Sequence, residues 1–490
     1  MTRNARTDRM WQGSAWMFAA ELLILPTGLV TAGVLTRQLG PETYGLLSLG
    51  VTVVGWFQWM AGSMLARASN RAVAAAGDWR PVAAEVMHSQ RLFGSVIGLL
   101  LLAVSPWLAA ALRQPSLTPT LRLLAVDLVL IVVAQGYRGV LVATGAHGWL
   151  SLMSAVRWIT RMLAVVAFVR LGWSIDGAVG GIALSSLATL LLARWRVGAL
   201  PRAPRAERQR VRAGLFALAA PIAVATMGAR LFDRLDLLLL ATLGGTAASL
   251  GHYGAAQNLT VTLSLLTGTV TPVVLAAVTR LQRHGDVDEA LALQRDVVRL
   301  PILVLPFAAL AAGAAPDLMR MIYGPSFLDA AVPFALLMIG ATAMLAVSLS
   351  TVLLMAAERA WLAVAITGPM LAALIAATLL LLPRYGTIAP AMASMLVSVA
   401  AACAALVTVQ RIVTVHAPLR TVVVGAVLAL GAFSAATAWH TPTAPSAVAK
   451  LLTISAALVS ALILLRELPT HVFSFVTAPL RGRATVLPPT

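Results

Sequence analysis

The stretch AAVPFALLMIGATAMLAVSLSTVLLMAA, residues 330–357, decides the fold class. It lies between Asp329 and Glu358 and carries no charge of its own. An α-helix rises about 1.5 Å per residue, so about 20 apolar residues cross a hydrocarbon core of about 30 Å. The apolar residues of this stretch do not alternate with period two, which excludes a half-buried strand. In lipid every backbone polar group must be satisfied internally, and a helix does so within one segment. Comparable runs recur along all 490 residues. Hydrophobic residues make up 60% of the chain and charged residues 11%, and the mean hydropathy is +0.89. A soluble domain carries about 25% charged residues, so this composition cannot form a water-facing surface.

The same reading predicts helices over 11–36, 44–66, 92–112, 120–144, 149–171, 174–193, 214–242, 247–279, 300–319, 330–357, 360–382, 386–410, 421–439 and 448–465. The expected fold class is an all-α polytopic membrane protein with about fourteen transmembrane helices. Met1–Arg9 is polar and basic, and the apolar run after it is too long for a signal-peptide core, so no cleavable signal is expected. Cys403 is the one cysteine; it rules out an intrachain disulfide and leaves no Cys/His metal spacing.

A net charge of +18 would point to nucleic acid on a soluble protein. Here topology explains it. With a cytoplasmic N-terminus, the inner segments hold 24 of the 36 Lys+Arg. The outer loops hold seven: Arg37, Arg113, Arg122, Arg170, Arg320, Arg384 and Lys450. The positive-inside rule therefore predicts both termini in the cytoplasm, and nucleic acid is not an expected partner. The stretch Arg194–Arg212 carries seven arginines with Pro201 and Pro204 and reads as a basic linker that also contacts anionic lipid.

That linker separates two similar halves. Tyr44-Gly45 recurs as Tyr253-Gly254, Pro106 as Pro316, Pro115-Ser116 as Pro325-Ser326, Trp149 as Trp361, and Ser174-Ile175 as Thr387-Ile388. The offset drifts in one direction, from 209 to 213, as small insertions would make it. The expected organisation is an N-terminal six-helix lobe over 1–198, the linker 199–213, and a C-terminal six-helix lobe over 214–411. Two further helices follow over 412–466, then a cytoplasmic tail over 467–490. An even helix count before the second copy gives both lobes the same orientation, a transporter arrangement.

Charges inside a bilayer are costly and mark cavities or pairs. Predicted helix 214–242 carries Arg230, Asp233, Arg234 and Asp236 within half of its circumference. They read either as a cavity wall, with arginines for an anionic ligand and acids for a proton or for the arginines, or as a self-neutralised lock. Arg157 and Arg161 share one face of predicted helix 149–171, beside Trp158, about 12–18 Å from its inner end. They read as cavity lining for an anion, with snorkelling as the alternative. Arg138, near Gln135 and Tyr137, lies closer to the inner end, where snorkelling is favoured over anion binding. Glu21 and Asp127 are lone acids, each a proton or ion site or an ion-pair partner. Gln257 and Asn258 suit sugar hydroxyls or helix–helix hydrogen bonds. Pro26 and Pro221, in the first helix of each lobe, are candidate kinks. Asp286-Val287-Asp288-Glu289 superficially matches a metal-binding Asp-x-Asp, but charge at a helix N-terminus explains it more simply.

The segment Leu35-Thr36-Arg37-Gln38-Leu39-Gly40-Pro41-Glu42-Thr43-Tyr44-Gly45 resembles the junction of helices 1 and 2 in Wzx-type polysaccharide flippases. These belong to the multidrug/oligosaccharidyl-lipid/polysaccharide (MOP) exporter superfamily. Asp236, Gly244-Gly245 and Gly251-His252-Tyr253-Gly254-Ala255-Ala256 resemble its second-lobe pattern, and Tyr323-Gly324-Pro325-Ser326-Phe327 its turn after helix 9. The resemblance implies a MATE-like pair of lobes around a V-shaped cavity. It implies export of an undecaprenyl-pyrophosphate-linked oligosaccharide or polysaccharide unit across the bacterial cytoplasmic membrane by alternating access. Implied partners are that lipid-linked substrate, membrane lipids, and polysaccharide polymerase or assembly proteins. The family has no fixed catalytic residues to carry over. No cofactor, metal or enzymatic activity is expected. The alternatives are a multidrug or cation antiporter of the same superfamily, and a membrane glycosyltransferase, polymerase or ligase. The last generally needs a sizeable loop or domain, and no long outer loop is predicted.

Overall fold

The computed structural model describes residues 20–201, 232, 234–413, 415, 416 and 418–467. All regular structure among them is helical: α1 (Ile24–Ala75), α2 (Trp79–Ala111), α3 (Leu117–Ala143), α4 (His147–Arg170) and α5 (Ser174–Val197), a helical segment at 234–242, then α6 (Ala247–His284), α7 (Val287–Gly313), α8 (Ala315–Ile322), α9 (Ala331–Ala356), α10 (Ala360–Thr367), α11 (Met370–Tyr385), α12 (Ala389–Ile412), α13 (Leu419–Ala438) and α14 (Ala444–Leu464). Short 3₁₀ turns sit at Pro325–Ala330 and Gly386–Ile388.

Among the described residues, eleven stretches are long and apolar enough to cross a membrane. The stretch Ala20–Gly62 holds two helices, because Gly40 leaves helical geometry at φ 70°, ψ 175°. That conformation suits a residue without Cβ, and Pro41 then starts the next helix with φ already fixed. The stretch Ala360–Ile412 is likewise divided at the 386–388 turn. Segment 234–242 is the end of the helix expected over 214–242. The chain is therefore a multi-pass, all-α membrane protein of about fourteen spans.

Several helices start earlier than hydropathy predicts. The helix expected from 92 begins at Trp79, where the Asp78 side chain accepts from the Arg80 backbone N–H at 3.1 Å. The helix expected from 300 begins at Val287, with Asp288 and Glu289 in its first turn. Hydropathy stops at polar residues, whereas the backbone ladder continues through them. The helix expected over 360–382 is split into α10 and α11 at Gly368-Pro369, since proline lacks the N–H that would continue the ladder. The helix expected over 300–319 ends at Gly313, and the short α8 follows. Pro26 falls in the first turn of α1, just after a turn at Leu23, whose carbonyl accepts from the Thr27 N–H at 3.2 Å. Pro221 lies outside the described residues.

The chain forms two compact units, Met1–Gly251 and His252–Thr490. This division falls after the basic stretch expected to separate the lobes, of which 202–212 lies outside the described residues.

In the first unit α3 is the hub, packed against α1, α2, α4 and α5. Leu117, Leu121, Leu124, Leu128 and Val140 on it are fully buried. Two glycines fix a close approach near the helix ends. A Cβ on Gly45 would lie 2.0 Å from the Ala247 carbonyl oxygen, and one on Gly251 would lie 2.0 Å from that of Pro41. Only hydrogen fits at either position.

In the second unit α9 packs on α12 and α7, and α13 lies along α7. The last two helices are tied down at both ends. Lys450, 1% exposed, places Nζ 2.7 Å from Asp317 Oδ2 and donates to the Trp439 carbonyl at 2.7 Å. At the opposite end Glu467 pairs with Arg299, accepts from Thr421 Oγ1 at 2.7 Å and meets Arg420 Nε at 3.4 Å.

Candidate functional site

Four intramembrane charges of the first unit sit on α3 and α4, and neighbouring helices treat them differently. Arg138 on α3 donates from Nη2 to Glu21 Oε1 at 3.0 Å and from Nη1 to Ser154 Oγ at 3.2 Å. Ser154 in turn donates to Glu21 Oε1 at 2.8 Å. The triangle joins α3, α4 and the residues just before α1. Both charged side chains keep partial exposure, 30% for Arg138 and 41% for Glu21. Arg138 is thus occupied by an acid.

Asp127 on α3 is 2% exposed. Gln58 Nε2 of α1 donates to Oδ2 at 2.8 Å, and Ser186 Oγ of α5 donates to Oδ1 at 2.5 Å. Two neutral donors therefore hold this carboxylate between three helices.

Arg157 and Arg161 lie one turn apart on one face in the middle of α4, both half-buried. Arg157 stacks over the Trp158 ring, its guanidinium carbon 5.3 Å from the centroid. Neither arginine forms an ion pair or hydrogen bond with a described carboxylate. Their half-burial means that lipid and bulk water supply only part of their surroundings. The charge of Asp127 acts on both, but its oxygens are held by Gln58 and Ser186 rather than by the arginines. Two adjacent cations without a contacting carboxylate among the described residues form a locus that an anion would neutralise, and a pair of guanidinium forks suits the oxygens of a phosphate or pyrophosphate.

Of the helix expected over 214–242, Arg234 is half-buried and Asp236 is 3% exposed, with its Oδ1 accepting from the Leu237 N–H at 2.9 Å. Both have further interaction partners. Arg230 and Asp233 lie outside the described residues. Gln257 is buried and Asn258 exposed, and both are engaged by neighbours. No group of three His, Cys, Asp or Glu that could hold a metal occurs among the described residues.

Residues 10–280 match the model of a family described as polysaccharide biosynthesis protein. The chain belongs to this family. The matched region contains Glu21, Gln58, Asp127, Arg138, Ser154, Arg157, Arg161 and Ser186, so both hydrogen-bonded clusters and the arginine pair are placed by the part of the chain that defines membership. Comparison with curated proteins gives no sequence match.

Among solved structures, this family member is similar to a lipid II flippase, MurJ, in an inward closed conformation, with a TM-score of 0.74 and 13% identity. That match covers 93% of this chain and 99% of the other. It is also similar to a multidrug resistance MATE family transporter of the MOP superfamily in an inward-facing conformation, with a TM-score of 0.61 and 14% identity, covering 86% and 99%. A MATE transporter of Vibrio cholerae, VcmN, gives a TM-score of 0.54 at 14% identity, covering 84% and 98%. At such identities these matches establish a common fold, the MATE-like fold expected from the Leu39-Gly40-Pro41 junction.

Sequence reading missed Gln58, Ser154 and Ser186. Gln58 carried a usable signal, a lone amide within an apolar span. Serines are too common in membrane helices to stand out.

Proposed function

We propose that this member of the polysaccharide biosynthesis family is a flippase. It moves undecaprenyl-pyrophosphate-linked oligosaccharide or polysaccharide repeat units across the bacterial cytoplasmic membrane by alternating access, with both termini in the cytoplasm. The observation that carries the proposal is the pair Arg157 and Arg161: half-buried, one turn apart and in direct contact with no described carboxylate, with Asp127 acting on them only at a distance, beside an Arg138 that Glu21 already occupies. A cargo bearing a pyrophosphate supplies the missing charge. Binding is then favourable while the anion is present, and the repulsion between two neighbouring cations favours reloading after release.

Arg230 and Arg234 are proposed as further anion contacts, and Gln257 and Asn258 as contacts for sugar hydroxyls. Asp127, Asp233 and Asp236 are proposed as proton, ion or pairing groups. Family membership supports a place in polysaccharide assembly, next to polymerase or assembly proteins. The fold shared with a lipid II flippase supports a lipid-linked cargo.

The test is complementation of a deletion strain with Arg157→Gln, Arg161→Gln and the double variant. We expect the double variant to lose surface polysaccharide while its abundance in the membrane stays at the wild-type level. Full export by the double variant would remove the arginine pair from the mechanism.

A further inference from the structure

A polar cavity lies in the first unit, and neither Arg157 nor Arg161 lines it. It encloses about 350 Å³ and is lined by Glu85, His88 and Arg91 of α2, Tyr137 of α3, Arg194 of α5 and the chain just after α5. It sits where α2 begins and α5 ends, since Arg194 belongs to the last turn of α5.

Three observations define what fits there. First, the charges are of both signs. Arg91 and Arg194 face the cavity, and Arg91 Nη2 is oriented by the Tyr137 hydroxyl at 3.3 Å. Glu85 is 4% exposed, lines the cavity, and has no hydrogen bond or ion pair with a described residue. Its oxygens are open to the cavity rather than sealed off, so an occupant that brings a cationic donor is favoured there. Second, the cavity opens at the membrane boundary. Trp195, beside Arg194, is 70% exposed and packs edge-on against Trp149 at 5.6 Å, and Arg196 lies over the Trp149 ring at 5.4 Å. Tryptophans at this level mark the headgroup zone. Third, an apolar track leaves the cavity along α2. Leu92, Val96, Leu99 and Leu100 are all exposed and continue the face of His88 at helical spacing.

We propose that this cavity binds the headgroup of a phospholipid bearing a primary ammonium. Its phosphodiester lies on Arg91 and Arg194, its ammonium on Glu85, and an acyl chain along Leu92, Val96 and Leu99. A glycerol headgroup would satisfy the arginines but bring no cation to Glu85. A quaternary choline would bring the cation but no N–H. The site is independent of the flippase reading, because none of its residues belongs to the Arg157/Arg161 locus.

The test is native mass spectrometry of the full-length protein in detergent with equimolar phosphatidylethanolamine, phosphatidylglycerol and phosphatidylcholine. We expect one phosphatidylethanolamine to be retained preferentially. Glu85→Gln should reduce that preference about tenfold, the equivalent of one charge-assisted hydrogen bond. Arg194→Gln, at an exposed helix end, should weaken retention of phosphatidylethanolamine and phosphatidylglycerol alike, and it keeps the test valid if Glu85→Gln does not fold. Equal retention of the three lipids by the wild type would overturn the proposal, as would an unchanged preference in a folded Glu85→Gln variant. Free O-phosphoethanolamine should not displace the lipid at millimolar concentration. Displacement would mean that the headgroup alone is read, and the lipid assignment would fall.

Discussion

Arg138 and Glu21, 117 residues apart in sequence, meet at 3.0 Å and share Ser154. This contact separates Arg138, which is paired, from Arg157 and Arg161, which contact no described carboxylate. Both side chains of the pair keep partial exposure, so its coupling should fall below the cost of breaking a fully buried pair. A double-mutant cycle of Arg138→Gln and Glu21→Gln, read as unfolding in detergent, measures it. The double variant should be no less stable than Arg138→Gln alone. Strictly additive losses would show that the pair contributes nothing.

Asp127 gives a sharper contrast. Asp127→Leu leaves the half-buried Gln58 amide and the buried Ser186 hydroxyl without an acceptor and should cost on the order of 1–3 kcal/mol. Asp127→Asn should cost less, because its amide oxygen can accept from Gln58 while the Ser186 hydroxyl turns to accept from the amide nitrogen. Equal stability of the two variants would mean that these hydrogen bonds do not hold the three helices.

At Gly45 the prediction is steric. A methyl there would overlap the Ala247 carbonyl oxygen, a backbone atom that cannot swing aside. Gly45→Ala should lower stability by roughly 1–3 kcal/mol, the usual range for overpacking, and Gly251→Ala should do the same from the other side of the contact. Wild-type melting of both variants would show that the close approach is dispensable.

Lys450 tests the attachment of the last two helices. Lys450→Met removes the donor of a partly buried Asp317 and of the Trp439 carbonyl and should cost about 1–3 kcal/mol, visible as lost yield and a lower melting temperature. The double variant Lys450→Met/Asp317→Leu should recover part of that loss. A single variant that melts like the wild type would contradict a structural role for the pair.

These contacts also show where sequence reading stops. The spans were legible because lipid imposes one demand on every residue of a segment, and the uncharged run 330–357 meets it throughout. The Gly40-Pro41 break was legible because both residues restrict the backbone locally. The partner of Glu21 was not, because nothing in the composition of either helix says which faces meet across 117 residues. For the same reason Arg138, read as a snorkelling or anion-binding side chain, is found paired with Glu21. The start of α2 was missed because its first turns are polar, although Asp78 marks the cap. Lys450, counted as an outer-loop charge, is buried in α14, where Asp317 compensates it.

The central claim is lipid-linked cargo, and the most direct test is to extract the membranes of a strain lacking the protein and analyse the lipid-linked oligosaccharides by mass. Undecaprenyl-pyrophosphate-linked units should accumulate on the cytoplasmic side while surface polysaccharide is lost, and wild-type protein, but not the Arg157→Gln/Arg161→Gln variant, should reverse both. Normal glycolipids with unchanged surface polysaccharide, together with new sensitivity to cationic dyes and drugs, would contradict it and move the protein to the antiporter reading.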